Sequence, residues 1–262
     1  MSEVVQQTVE DGVAVLTLNR PDRLNAWTAQ MEREYFDLLE SCGRSREVRV
    51  IVVTGAGRGF CAGADMQDLE QLGENGDAAV AHAEDRRPQT FPHTIEKPII
   101  AAINGACAGI GLVQALMCDL RFAAADAKFT TAFARRGLVA EHGIGWILPR
   151  LIGPARALDL LFSARVILGE EAAELGLINR ALPQDELMDT TLAYARELAA
   201  QCSPASMATM KRQVYADLER PLAEGLAQAD RLMLESFSAP DFVEGVRSFL
   251  DKRAPQFESI GA

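Results

Sequence analysis

The sequence predicts an α/β protein whose strand–helix alternation gives way to a helical C-terminal part. Two β-like runs each end in a glycine-rich turn that opens into a helix-like stretch. Val48-Arg49-Val50-Ile51-Val52-Val53 leads to Phe60-Cys61-Ala62-Gly63-Ala64-Asp65, and Pro98-Ile99-Ile100-Ala101-Ala102-Ile103 leads to Asn104-Gly105-Ala106-Cys107-Ala108-Gly109-Ile110-Gly111. Beyond residue 143 the apolar spacing is that of amphipathic helices almost to the end. A chain of 262 residues, 48% of them apolar, has material for one large core.

The elements follow in order. Val4, Val5 and Val9 precede Glu10-Asp11-Gly12, and Val13, Val15, Leu16 and Leu18 follow it. An Asp-Gly between apolar runs predicts a hairpin. Residues 19–23 form a loop, and Thr28 can cap a helix that carries Met31, Tyr35, Leu38 and Leu39 on one face. The strand at 48–54, the first glycine turn and a short helix near 65–72 come next. Residues 73–88 are polar and weakly patterned, as in a lid. The second strand and turn lead to a helix near 110–118, then short strands at 120–124 and 128–130. Residues 169–176 read as a helix ended by Gly176, and 177–182 as a strand. Long helices fill 185–202, 204–219 and 221–253.

Charge and motif content exclude several functions. Lysine and arginine total 26 against 37 acidic residues. That balance argues against nucleic acid as a partner, though not against one anionic ligand in a local basic pocket. No run of eighteen apolar residues is present, so no membrane partner is expected. The five cysteines lack Cys-x-x-Cys spacing, and Met1–Gln7 lacks a signal pattern. Together they predict reduced, packed thiols in a cytoplasmic protein. Thr54-Gly55-Ala56-Gly57-Arg58-Gly59-Phe60 fails the dinucleotide fingerprint at Phe60. Neither a phosphate-loop lysine motif nor a Gly-x-Ser-x-Gly elbow occurs. His82, His93 and His142 have no zinc-like spacing, so no metal is expected.

The glycine turns themselves suggest chemistry. Glycine lets backbone approach a ligand closely, and a helix start leaves N–H groups unpaired. Two such ends facing one point make a cradle for an oxyanion. The plain alternative is that both turns only permit tight strand–helix packing.

At these residues the chain resembles the crotonase (enoyl-CoA hydratase/isomerase) superfamily. The likeness rests on both glycine turns, on Met117-Cys118-Asp119-Leu120-Arg121, Gly137-Leu138 and Leu148-Pro149-Arg150-Leu151-Ile152-Gly153. It continues through Ala172-Ala173-Glu174-Leu175-Gly176-Leu177-Ile178-Asn179 and the tail Phe249-Leu250-Asp251-Lys252-Arg253, in order along nearly the whole chain. The resemblance implies a spiral of ββα units over 1–195 and a helical trimerisation region over 196–262. It also implies an acyl-CoA substrate, with coenzyme A part of the substrate and no separate cofactor. A homotrimer or dimer of trimers is the expected assembly.

Carried over by position, the oxyanion donors are the backbone N–H groups of Ala64 and Ile110. Ile110 stands where many members have glycine, so either the backbone there is ordinary or the pocket is narrower. Hydratases of the family use two glutamates. Their positions fall here on Val113 and Phe133, which transfer no proton. Glu141 matches the acid of some Δ3,Δ2-enoyl-CoA isomerases, and one carboxylate suffices for a 1,3-proton shift. A second reading has Glu141 merely capping the helix that begins near Gly143. His142, next to it, is an alternative base or a structural hydrogen-bonder. The likeness also points to Arg23, Leu24, Ala26, Ala62, Asp65 and Met66 around coenzyme A. Lys252 reaches its 3′-phosphate, or else simply ends a solvated helix. Gly109, Val113, Phe133 and Trp146 are expected in the acyl pocket. The implied activity is Δ3,Δ2-enoyl-CoA isomerisation. A hydratase with a non-standard acid/base set and an idle CoA-binding trimer stand as alternatives.

Overall fold

The computed structural model describes residues 3–74 and 86–261, with the side chains of 71–74 outside the description. Most of the expected lid at 73–88 therefore lies outside the described residues. The hairpin forms as predicted. Strand β1 (Val5–Glu10) pairs antiparallel with β2 (Val13–Leu18), and Asp11 and Gly12 both take positive φ in the two-residue turn. The Thr28 hydroxyl accepts a hydrogen bond from the Met31 N–H and caps α1 (Ala29–Arg44).

The rest is a repeated unit. Strand β3 (Val50–Gly55) is followed by β4 (Gly59–Cys61) and helix α2 (Met66–Glu74). Then β5 (Ile99–Ile103), β6 (Ala106–Ala108) and α3 (Ile110–Leu116) repeat the pattern. Strands β7 (Leu120–Ala124) and β8 (Lys128–Thr130) begin a third unit, which continues into α4 (Ile144–Ile152). The first strand of each pair joins one sheet and the second joins another. The six-stranded sheet has order β1-β2-β3-β5-β7-β10 and the four-stranded sheet β4-β6-β8-β9. Strand β9 is Ile167–Leu168, antiparallel to β8; β10 is Arg180–Leu182, parallel to β7. This alternation between sheets is the expected ββα spiral.

Between the sheets lies the main core, with Leu16, Phe36, Phe60, Phe122 and Phe129 buried. Helices α5 (Pro154–Ser163) and α6 (Gly169–Leu175) add Ala157, Leu160 and Ala172 to this core. Helix α7 (Leu187–Gln201) covers the opposite face of the large sheet, packing Ala195 and Ala199 on Val50, Val52 and Ile100. The small residues let helix and sheet approach closely.

Three details differ from the sequence reading. The short strands β4 and β6 stand inside segments read as turns, because three residues are too few to show a period. The strand expected from Leu177 begins only at Arg180; Leu177 and Ile178 are buried ahead of it. The single helix expected at 221–253 is two, α9 (Leu222–Ser236) and α10 (Pro240–Asp251). Pro240 cannot continue a helix and instead occupies the first turn of the next. Helix α8 (Pro204–Asp217) precedes them and is held to the core by polar contacts. Lys211 Nζ and the Tyr215 hydroxyl both donate to the Asp119 carboxylate, which also accepts from the Ile99 N–H at 2.7 Å. Asp119 is thus the strand-end anchor its place suggests.

Candidate active site

Strands β4, β6 and β8 run parallel, with Cys61 opposite Cys107 and Ala108 opposite Thr130. Turns 62–65 and 109–110 therefore leave the same end of neighbouring strands. They abut: a Cβ built on Gly109 would lie 3.9 Å from the Gly63 Cα, and one on Gly63 would lie 3.3 Å from the Ala108 carbonyl oxygen. Gly63 and Gly109 have φ of +107° and +50°, conformations that side chains resist. Gly111 is required for contact rather than conformation. A Cβ there would fall 2.2 Å from the Cys61 carbonyl oxygen.

Ala64 sits in an isolated parallel bridge with Trp27. The Trp27 N–H donates to the Gly63 carbonyl at 2.8 Å and the Asp65 N–H donates to the Trp27 carbonyl at 3.0 Å. Both bonds use residues flanking Ala64, so its own N–H is left over. Ile110 opens α3, where the cap residue Gly109 offers no side chain. Among the described hydrogen bonds neither the Ala64 N–H nor the Ile110 N–H has an acceptor. Ile110 has no positive φ; Gly109 takes the unusual conformation instead. Of the two readings of Ile110, the backbone there is the ordinary one.

The 20–27 loop is knitted to this turn. The Ala62 N–H donates to the Leu24 carbonyl, and Arg20 donates to Asp65 at 2.9 Å and to the Ala26 carbonyl. The Arg20 guanidinium holds the Asp65 carboxyl below the usual carboxylate range. Arg23, Leu24, Ala26, Ala62, Asp65 and Met66 are thereby gathered in one region, with Met66 exposed. Arg20 was not singled out in the sequence. Lys252 stands apart, exposed and left-handed at the end of α10. Val113 and Phe133 are buried, and Trp146 is half-buried beneath the Arg150 guanidinium at 4.0 Å.

The turn 141–143 lies against Met117, which ends α3. Its Gly143 approaches α3: a Cβ there would meet Met117 Cε at 3.5 Å and Thr90 Cγ2 at 3.4 Å. The Glu141 side chain, 31% exposed, sits with Oε2 3.6 Å from His142 Nε2. Helix α4 is capped by Gly143 without a side-chain bond, so Glu141 does not serve as its side-chain cap. Burial lowers the pKa of His142, with Glu141 and Glu32 opposing. Among the described residues no group of three His, Cys, Asp or Glu side chains is gathered as metal ligands would be. Cys61 and Cys118 are buried, with thiols pushed up to about 12, and are packing groups rather than nucleophiles.

A polar chain behind this turn was missed. Glu32 on α1, only 3% exposed, accepts from Arg86 through both carboxylate oxygens, from Gln89 at 2.6 Å and from the Trp27 indole at 3.2 Å. Gln89 in turn accepts from Gln114 of α3 at 2.6 Å. Burial alone would raise the Glu32 pKa; the bonds from Arg86, Gln89 and Trp27 outweigh it, and the net direction is down. The signal in the sequence was an acid four residues before Phe36 and seven before Leu39, on the apolar face of α1.

Comparison with known proteins gives the family of this fold. Residues 8–260 match the family model described as enoyl-CoA hydratase/isomerase. A probable enoyl-CoA hydratase of Rhodobacter capsulatus is 39% identical over 97% of this chain and 97% of its own. The 1,2-epoxyphenylacetyl-CoA isomerase of Escherichia coli is 37% identical over 98% of this chain and 99% of its own. The crystal structure of an enoyl-CoA hydratase from Polaromonas superposes with a TM-score of 0.90 at 28% identity, covering 97% of this chain and 99% of that one.

Proposed function

This chain belongs to the enoyl-CoA hydratase/isomerase family, and we propose that within it the protein shifts the double bond of a 3-enoyl-CoA to the 2-position. The Ala64 and Ile110 amides, on abutting turns and without an acceptor among the described hydrogen bonds, support this reading, together with the match of Glu141 to the acid of some isomerases of the family. The thioester oxygen accepts from the Ala64 and Ile110 N–H groups. Glu141 removes a proton from C2, the C–H electrons pass into the carbonyl, and a dienolate forms with its charge on that oxygen. Glu141 then returns the proton to C4, the C2–C3 double bond forms, and the carboxylate is regenerated. Each amide contributes about 3 to 4 kcal/mol to the charged state, and the acid/base step about 10² to 10⁴ in rate. Coenzyme A enters as part of the substrate, and no step calls for a metal or another cofactor. Its nucleotide lies along Arg23, Leu24, Ala26, Ala62, Asp65 and Met66; Gly109, Val113, Phe133 and Trp146 line the acyl side.

The C-terminal helices support a trimer. Leu222 on α9 and Phe249 on α10 are 88% and 83% exposed, apolar area that a second copy would cover. In such an assembly Lys252 reaches the 3′-phosphate of a neighbour's coenzyme A.

A second reading, water addition to a 2-enoyl-CoA, is favoured by the names of several relatives. Offering purified protein the two thioesters separately distinguishes them. Turnover of 3-enoyl-CoA alone, abolished in Glu141→Gln, is expected. Water addition that survives Glu141→Gln supports the second reading and sinks the first. Binding without turnover of any thioester favours the catalytically idle CoA-binding reading.

A further inference from the structure

The chain from Glu32 through Gln89 to Gln114 has a fixed direction. A carboxylate only accepts, so Gln89 turns its Nε2 to Glu32 and is left with Oε1 toward Gln114. Gln114 meets that oxygen with Nε2. Its own Oε1 is left with no partner among the described residues, although Gln114 is only 2% exposed. Rotating the Gln114 amide gives no relief, because two oxygens would then face each other. Arg86 and the Trp27 indole hold the far end of the chain in place. A buried acceptor is thus aimed and fixed, where a leucine would pack without cost.

Its position gives it a use. Ile110, Val113, Gln114 and Met117 recur at helical spacing on one face of α3. Met117 on that face meets the 141–143 turn, and Gln89 precedes Thr90, which meets the same turn. Gln114 lies one turn, about 6 Å of rise, beyond the Ile110 amide. The acceptor therefore stands on the same helix face as the Ile110 side chain, one turn further along.

We propose that Gln114 is a specificity-determining residue and that the acyl group this enzyme takes carries a hydroxyl, which donates to Gln114 Oε1. The inference rests on the acyl-CoA reading above. A site with a fixed buried acceptor gains from the matching O–H and rejects the analogue that leaves it unpaired.

Calorimetric binding of paired thioesters tests it. Hexanoyl-CoA is compared with its 3-hydroxy and 6-hydroxy derivatives, and phenylacetyl-CoA with its 3-hydroxy and 4-hydroxy derivatives. At least one hydroxylated member is expected to bind about 10-fold or more tightly than its parent. Gln114→Leu should erase that ratio. Gln89→Leu, which leaves Gln114 in place but frees its amide to rotate, should reduce it to about 2-fold, and serves if the first variant does not fold. Equal affinity across every pair, or a preference that survives Gln114→Leu, overturns the inference while leaving the acyl-CoA reading intact. So does a crystal structure in which a water keeps the Gln114 Oε1 bond with the hydroxylated ligand bound. Failure of all the thioesters to bind overturns both.

Discussion

The two sides of the proposed site are built by different means. The amide side is backbone: Ala64 and Ile110 contribute N–H groups placed by parallel strands and by glycines that admit no side chain. The proposed acid side is one side chain, Glu141, on a turn where His142 and Gly143 both have positive φ. The amide side is redundant in residue identity and strict in geometry. The acid side is strict in identity and open to solvent. A backbone donor survives replacement of its own side chain, whereas a base does not. Val113 and Phe133 stand where the resemblance places the hydratase glutamates.

The sharpest way to break this contrast is a pair of substitutions. Glu141→Gln keeps size and removes the base, and kcat on 3-enoyl-CoA should fall about 10³-fold with KM little changed. Ile110→Val keeps the amide and removes one buried methylene, costing about 1 kcal/mol of stability and leaving kcat within a few-fold. Steady-state kinetics on both variants checks this. Comparable losses of kcat would mean that side chains, not amides, define the first side.

Next in size is Gly111→Ala. The added Cβ would lie 2.2 Å from a backbone oxygen in β4, so strand and helix must part. A loss of about 3 kcal/mol in urea unfolding is expected, with activity falling further than stability as the turns separate. Gly137→Ala is the control: it has left-handed φ but open space around it, and should cost only about 1 kcal/mol. Equal losses would show that conformation alone, not the close approach of β4 to α3, makes glycine necessary.

The same division decided what the sequence revealed. Glycine turns after apolar runs are local signals, so strands β3 and β5 and the helix starts behind the turns were legible from their order, while Ala64 and Ile110 were named only through the family resemblance. The hairpin was legible because Asp11-Gly12 admits few other conformations. The break before Pro240 was signalled too, but an amphipathic pattern on either side masked it. Strands β4 and β6 were not legible, since their pairing is set by neighbours distant in sequence. Nor was the Glu32–Gln89–Gln114 chain. It joins residues 57 and 25 positions apart, and nothing local marks Gln89 as their bridge.

That chain makes a pH-dependent contribution to stability. The folded-state pKa of Glu32 is depressed, so its contribution is fully present above the unfolded value near 4.5 and is lost as pH falls through the lower folded value. Wild type should therefore lose stability below about pH 4.5 more steeply than Glu32→Gln, whose profile loses this component. At neutral pH Glu32→Gln should cost about 2 kcal/mol, less than a fully buried pair because Arg86 is half exposed and can turn to water. Urea melts across pH 3 to 7 measure both. Parallel profiles would mean that Glu32 is not the anchor of the 86–90 segment.

The smallest effect expected is at the residue nearest the proposed base. His142 is 41% exposed, and its imidazole stands 3.6 Å from Glu141, beyond an ordinary hydrogen bond. Burial lowers its pKa against the opposing pull of Glu141 and Glu32, which favours the neutral ring. Its backbone matters more than its ring, because φ is +55°. Asparagine tolerates that conformation better than most residues, so His142→Asn keeps the turn while removing the imidazole. Activity should stay within about three-fold of wild type, and the acid limb of the kcat/KM profile should persist. If that limb disappears in His142→Asn and survives in Glu141→Gln, the base is the histidine. The acid side would still be a single side chain, but one residue further along the same turn.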